Sequence, residues 1–194
     1  MLRTACRQLG RWRAELGARA PVTVNVNLPA RLVLEPGLPG LVGRALEAGG
    51  LNAGHLELEL TEGALLEDSP GVPSTLAALR GSGIRLAIDH FGAGSSSLSW
   101  LRRVSVDTLK IDRSLIAGLA DGGEGATLVA AVVRLGFALD LQVVATGVED
   151  DAELEALRAL RCPLGQGPRL GRPLPAAGLT RLLREGRAVG AATD

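Results

Sequence analysis

Amides, carboxylates and one lysine recur at the ends of apolar runs along this chain. Asn25 and Asn27 close VTVNVNL, Glu57, Glu59 and Thr61 alternate through HLELELTE, and Lys110 and Asp112 end DTLKID. In LAIDHFGAGSSSL, residues 86–98, Asp89 ends an apolar run and His90 follows at once. A carboxylate at the lip of a buried strand is costly unless a metal, a partner or water holds it. The stretch therefore reads either as a metal site with an imidazole ligand or as a carboxylate pair that has lost one member.

Lys110 stands out on composition alone. Of 21 basic residues it is the one lysine, the rest being arginine. Lysine is a compact charge whose pKa can be shifted, whereas arginine is a permanently charged planar fork. A lysine kept against that bias points to a position where a guanidinium will not serve.

The elements that must position these groups follow from periodicity. Residues 2–17, 37–49, 124–139 and 176–187 carry helical spacing, SPGVPSTLAALRGSG holds a helix between a start and a glycine stop, and DDAELEALRAL reads as a capped helix. Strands are expected at 22–28, 55–62, 84–89, 107–112 and 141–149, with 162–168 a short sixth strand or a loop and a helical turn around 96–103. Strand and helix alternate about six times, which implies a largely parallel sheet covered by helices.

Side-chain alternation then sorts the polar groups by face. Asn25 and Asn27 share a face, as do Glu57, Glu59 and Thr61, Arg85 and Asp89, and Lys110 and Asp112. Polar ends on strand after strand suit a closed barrel, whose site collects residues from many strands, better than an open sheet with one ligand crevice. The expected fold is thus α/β, a modified (β/α)8 TIM-like barrel. It is incomplete, because such barrels need eight strands and typically ~250 residues, whereas this chain has 194 and opens on a helix.

Composition narrows the function classes. Hydrophobic residues make up 46%, enough for a sizeable core, and the 21 basic and 21 acidic residues cancel. No long-range field would draw the chain onto nucleic acid or anionic lipid, and 2% aromatics provide no stacking platform for single strands. Cys6 and Cys162 lack metal-ligand spacing and read as reduced thiols. With no secretory h-region and no run long enough to span a bilayer, a cytoplasmic location is expected. No nucleotide-binding glycine fingerprint follows any strand.

The motifs NVNLPARLV, LELELTEGALL, LAIDHFGAGSSSLSWLRRVSVDTLKIDRSLI, VVATGVED and LGQGPRLGRPLP, in this order, resemble EAL domains, bacterial phosphodiesterases that linearise cyclic di-GMP. The resemblance runs from about residue 5 to 185 and implies the same barrel. By it, Asn27, Glu59 and Asp89 correspond to ligands of divalent metals, Mg²⁺ or Mn²⁺, which together can activate water and clamp a phosphodiester. Glu62 corresponds to a glutamate that orders the loop HFGAGSSS, and Lys110 to the lysine that holds the attacking water and phosphate region. Asp112, Glu149 and Gln166 correspond to further pocket residues. On the residues alone, Asn27 could simply cap a strand-end turn, and Glu149 and Asp150 could simply begin the next helix.

Three departures from the family pattern matter. The family has a second aspartate where His90 stands, and imidazole suits Mg²⁺ poorly. It has a glutamate, a metal-centre carboxylate or general base, where Thr146 stands, and threonine does neither job near neutrality. No Glu-Ala-Leu segment precedes Asn27, so that strand with its glutamate and arginine is expected to be missing. Pro168 also replaces an aromatic of the ligand wall. The expectation is a degenerate EAL domain, catalytically impaired, acting as a cyclic di-GMP receptor or regulatory interaction module. The alternatives are an active phosphodiesterase that uses an altered metal, and a protein-interaction remnant without ligand. Residues 1–187 would form the barrel domain and 188–194 a flexible tail. A homodimer or a partner sensor or GGDEF domain is implied by the family.

Overall fold

The computed structural model describes residues 1–66, 71–94 and 104–186. Among them six strands form one sheet in chain order: β1 (Val24–Asn27), β2 (Leu56–Thr61), β3 (Arg85–Phe91), β4 (Thr108–Ile111), β5 (Gln142–Thr146) and β6 (Leu164–Gln166). The pairings β1–β2, β4–β5 and β5–β6 are parallel. Parallel neighbours need long crossovers. The longer helices between and around them are α1 (Leu2–Leu16), α3 (Leu38–Glu47), α5 (Gly71–Gly81), α7 (Glu124–Ala138), α8 (Asp151–Ala159) and α9 (Ala176–Glu185). Three short helices, α2 (Ala30–Val33), α4 (Glu62–Leu66) and α6 (Arg113–Ile116), follow directly on strands or their turns. The architecture is the expected α/β one, of the β/α-barrel type, with six strands among the described residues.

The chain divides into two compact units. The first holds Met1–Ala87 and α9. Here α1 buries Cys6, Leu9 and Trp12, one stripe at helical spacing, and the Trp12 indole donates to Thr180 Oγ1 of α9 at 2.8 Å. Glycines let α1 meet the end of α3 at backbone contact, since a Cβ on Gly10 would collide with the Gly49 carbonyl. In β2 the alternation of leucine and glutamate does not mean one wet face. Glu57 and Glu59 are 4% and 8% exposed, beside leucines at 1% or less.

The second unit holds the end of β3 from Ile88 and the run Val106–Pro173. All four residues of β4 are buried, and α7 lays Val129, Val132, Val133 and Gly136 inward. Gly136 is required because a Cβ there would strike the Val143 side chain of β5.

Several boundaries differ from the sequence reading, for local reasons. The strand expected at 84–89 runs on through His90 and Phe91, with His90 at φ 59. The strand expected at 141–149 stops at Thr146 because Gly147 turns at φ 78. The stretch 162–168 does contain a strand, Leu164–Gln166, in register with Val144–Thr146. The last helix ends at Glu185, before Gly186 at φ 65. The turn expected around 96–103 and the tail 188–194 lie outside the described residues.

Candidate functional site

In the first unit the strand ends carry a hydrogen-bonded cluster of acids and their donors. The parallel register sets Asn25 beside Glu57 and Asn27 beside Glu59. Asn25 Nδ2 donates to Glu57 Oε1 at 2.7 Å and to Glu59 Oε1 at 3.1 Å, so one neutral amide ties two buried carboxylates. Arg85 Nε pairs with the other oxygen of Glu57 at 3.1 Å. Asn27 is the last residue of β1 and is exposed, while the Leu28 N–H donates to the Glu59 carbonyl at 2.8 Å. Glu62, half-buried, opens α4 directly after β2.

The second unit gathers Asp89, His90, Lys110 and Asp112. Asp89 Oδ1 accepts the His90 backbone N–H at 3.0 Å and lies 3.7 Å from Lys110 Nζ. The Lys110 side chain is only 7% exposed. His90 Nδ1 lies 2.8 Å from Asp112 Oδ2, and its Nε2 lies 3.5 Å from Asp89 Oδ2. Asp112 is also the N-cap of α6, its Oδ1 accepting the Ser114 N–H at 2.9 Å. That cap is a second job the sequence reading did not assign to it.

These contacts set the charges. The hydrogen bond with Asp112 raises the His90 pKa above its ordinary value, against a smaller effect of burial, and Asp89 adds to the rise. Burial alone would push the Asp112 carboxyl up, but the His90 and Ser114 hydrogen bonds and the imidazole charge outweigh it and lower the pKa to about 2. The pair is therefore an imidazolium and a carboxylate over most of the acid range.

Thr146 donates its hydroxyl to the Ile111 carbonyl at 2.7 Å, and pairs in register with Gln166, the exposed end of β6. Glu149 is exposed, and its N–H donates to Glu153 Oε2 at 2.7 Å. Asp150 caps α8 by accepting the Glu153 N–H at 2.8 Å. Of the two acids read as possible helix starters, Asp150 is the cap and Glu149 precedes it. The structure thus links Lys110, Asp89, His90 and Asp112 in a chain of contacts and places Thr146, Glu149 and Gln166 at or just beyond the ends of β5 and β6. The tie between Asn25, Glu57 and Arg85 was not read as such from the sequence. Its signal was the shared strand faces.

Six strands in one sheet, with helices between them in the chain, define a domain of the α/β-barrel type. Residues 1–173 match the EAL domain model, and the chain belongs to the EAL domain family. It is 41% identical over 176 residues to the bifunctional diguanylate cyclase/cyclic di-GMP phosphodiesterase MucR of Pseudomonas aeruginosa, covering 91% of this chain and 25% of MucR. It spans about a quarter of the length of the curated relatives it matches. Among solved structures, it superposes on the PaMucR phosphodiesterase–cyclic di-GMP complex with a TM-score of 0.84, at 40% identity over 92% of this chain and 71% of that one. The EAL domain of Mycobacterium smegmatis DcpA gives 0.89, at 36% identity over 96% and 83%. A manganese and cyclic di-GMP complex of Klebsiella pneumoniae BlrP1 gives 0.77, at 32% identity over 85% and 41%. Divalent metal thus belongs to this family, and the chain is related to cyclic di-GMP phosphodiesterases.

The groups of the second unit do not fit a divalent ion as they stand. Both aspartates already face nitrogens of this chain, those of His90 and Lys110. Among the described residues, no three His, Cys, Asp or Glu side chains gather as a metal cluster. The described residues also include no helix long and apolar enough to cross a membrane.

Proposed function

We propose that this chain is a cyclic di-GMP-binding EAL domain with little or no hydrolytic turnover, serving as a receptor or regulatory module. The observation that carries the reading is Thr146. At the place where the family carries a metal-centre carboxylate, a neutral hydroxyl is engaged with the Ile111 carbonyl. A hydroxyl of ordinary pKa cannot take a proton from water near neutrality, and a general base typically contributes 10²–10⁴-fold. His90 removes a second carboxylate from the same centre.

Binding chemistry is better provided for than bond cleavage. Lys110 offers a fixed, nearly buried cation to a phosphodiester, and Gln166, Glu149 and Asp112 offer acceptors and donors for guanine and ribose groups. Asn27, Glu59 and Glu62 complete the set carried over from the family. Association with a second copy, or with a sensor or GGDEF domain in a cytoplasmic signalling protein, is the setting this role needs.

A second reading is favoured by the retained Asn27, Glu59, Asp89 and Lys110, namely an active phosphodiesterase giving pGpG with Mn²⁺. Calorimetry with cyclic di-GMP, in chelator and in Mn²⁺, together with chromatography of the mixture, separates the two. Saturable binding with unchanged nucleotide supports the receptor. Linear pGpG supports the enzyme, and no binding under either condition leaves the ligand-free remnant.

A further inference from the structure

The 21 basic and 21 acidic residues balance over the whole chain, but not along α1. Arg3, Arg7, Arg11 and Arg13 stand there against a single acid, Glu15, and Arg184 of α9 takes that acid at 3.0 Å. Arg3, Arg7 and Arg11 are exposed and recur every fourth residue, so they lie about 6 Å apart along one face. Arg3 also sits in the first turn, where the helix dipole favours anions over cations. Among the described residues, no acid pairs with Arg3, Arg7, Arg11 or Arg44.

Beside this stripe lies an apolar groove. α1 and the end of α3 touch at Gly10 and Gly49, too closely for a Cβ on either. Toward the start of α1 they leave about 420 Å³, lined by Met1, Leu2, Leu41 and Ala45 together with Arg3 and Arg44. Ala45 is the floor at 2% exposure, whereas Met1 and Leu41 are 82% and 45% exposed. Arg44 folds back over a turn that has no side chain, its Nη1 lying 3.3 Å from where a Cβ on Gly40 would stand.

We infer that the groove and its arginine stripe dock an acidic amphipathic helix of a partner protein. Exposed apolar surface bordered by charge marks interaction sites, and a helix laid into such a groove seats its apolar side chains there. Charge complementarity decides the occupant. Cations at one per turn match a second helix with carboxylates at the same interval, each guanidinium able to take a carboxylate bidentately. A second copy of this chain would set like charges against one another. A flat anionic bilayer could reach the arginines, but not the floor at Ala45. Docking here is independent of whether cyclic di-GMP is held intact or cleaved.

The probe is a fluorescein-labelled helical peptide with leucine at i, i+3, i+4 and i+7 and glutamate on its other face. It is titrated into the full chain by anisotropy, against the same peptide carrying lysine for glutamate. Saturable binding of the acidic peptide alone is expected. It should weaken tenfold or more in Leu41→Asp and in the double variant Arg3→Glu, Arg7→Glu, and stay unchanged in Arg134→Glu on α7. The double variant should gain affinity for the lysine peptide, and circular dichroism melts confirm that each variant folds. No binding of the acidic peptide, equal binding of both peptides, or an equal loss in Arg134→Glu overturns the inference. So would capture of the chain by phosphatidylserine vesicles without peptide binding, or a dimer in sedimentation equilibrium that Leu41→Asp disperses.

Discussion

The amide of Asn25 lies 2.7 Å from Glu57 across the β1–β2 pair, and the same nitrogen reaches Glu59 at 3.1 Å. An uncharged donor between two buried carboxylates holds them without cancelling their charge. Asn25→Ala is expected to destabilise the fold by about 1–3 kcal/mol, the cost of depriving buried acceptors of a donor. Asn25→Asp is expected to be worse, because it sets a third like charge beside the pair. Urea denaturation checks both, and a neutral outcome for Asn25→Asp would remove the tie from the account.

The His90–Asp112 pair makes a signed pH prediction. The His90 pKa is raised above 6.5, so its contribution to stability is complete below that value and lost as pH rises through the folded-state pKa. Asp112 is lowered from 3.8 to about 2, so its contribution is complete above 3.8 and lost as pH falls through about 2. Both are in place between those limits. The gap in denaturation midpoint between the parent chain and His90→Ala should be widest near pH 5 (roughly mid-window), and should narrow toward alkaline pH and toward strong acid. A gap constant with pH would contradict the pairing.

Gly147 ends β5 at φ 78, and a Cβ there would collide with the Arg113 side chain. Gly147→Ala is expected to cost about 1–3 kcal/mol, from the left-handed backbone and the clash together. Because Thr146 and Glu149 flank this turn, weaker cyclic di-GMP binding should accompany the loss. Thermal melts and calorimetry read the two effects separately.

If the receptor reading holds, adding one carboxylate does not by itself confer catalysis. Thr146→Glu alone gives up the bond to Ile111 and leaves His90 in contact with both aspartates, so no pGpG is expected. The double variant His90→Asp, Thr146→Glu is expected to show Mn²⁺-dependent formation of pGpG, at least 10²-fold above the detection limit that bounds the single variant, the low end of a general-base contribution. Equal rates in the two variants, read by chromatography, would show that the defect lies elsewhere.

Much of this was legible in the sequence because it rests on short-range patterns. Alternation in HLELELTE and VTVNVNL located β1 and β2, and helical stripes located α1 and α7. The ordered motifs named the family and picked out Asp89, His90, Lys110 and Asp112, which do meet. Asp150 was readable as a helix start because capping is local. Burial of both faces of β2 was not readable, since alternation shows which residues share a face but not what covers it. The run of β3 past Asp89 was hidden because a positive φ at histidine has no sequence signature. The short helices α2, α4 and α6 are too brief to show a period. The bridge from His90 to Asp112 joins residues 22 apart and depends on the pairing of strands rather than on spacing.

The most direct test of the central claim is one calorimetric titration of cyclic di-GMP into the full chain with Mn²⁺ present, followed by chromatography of the cell contents. The account predicts a saturable isotherm and nucleotide recovered intact after prolonged incubation. Conversion to pGpG over successive turnovers, or the absence of any binding heat with and without metal, would contradict it.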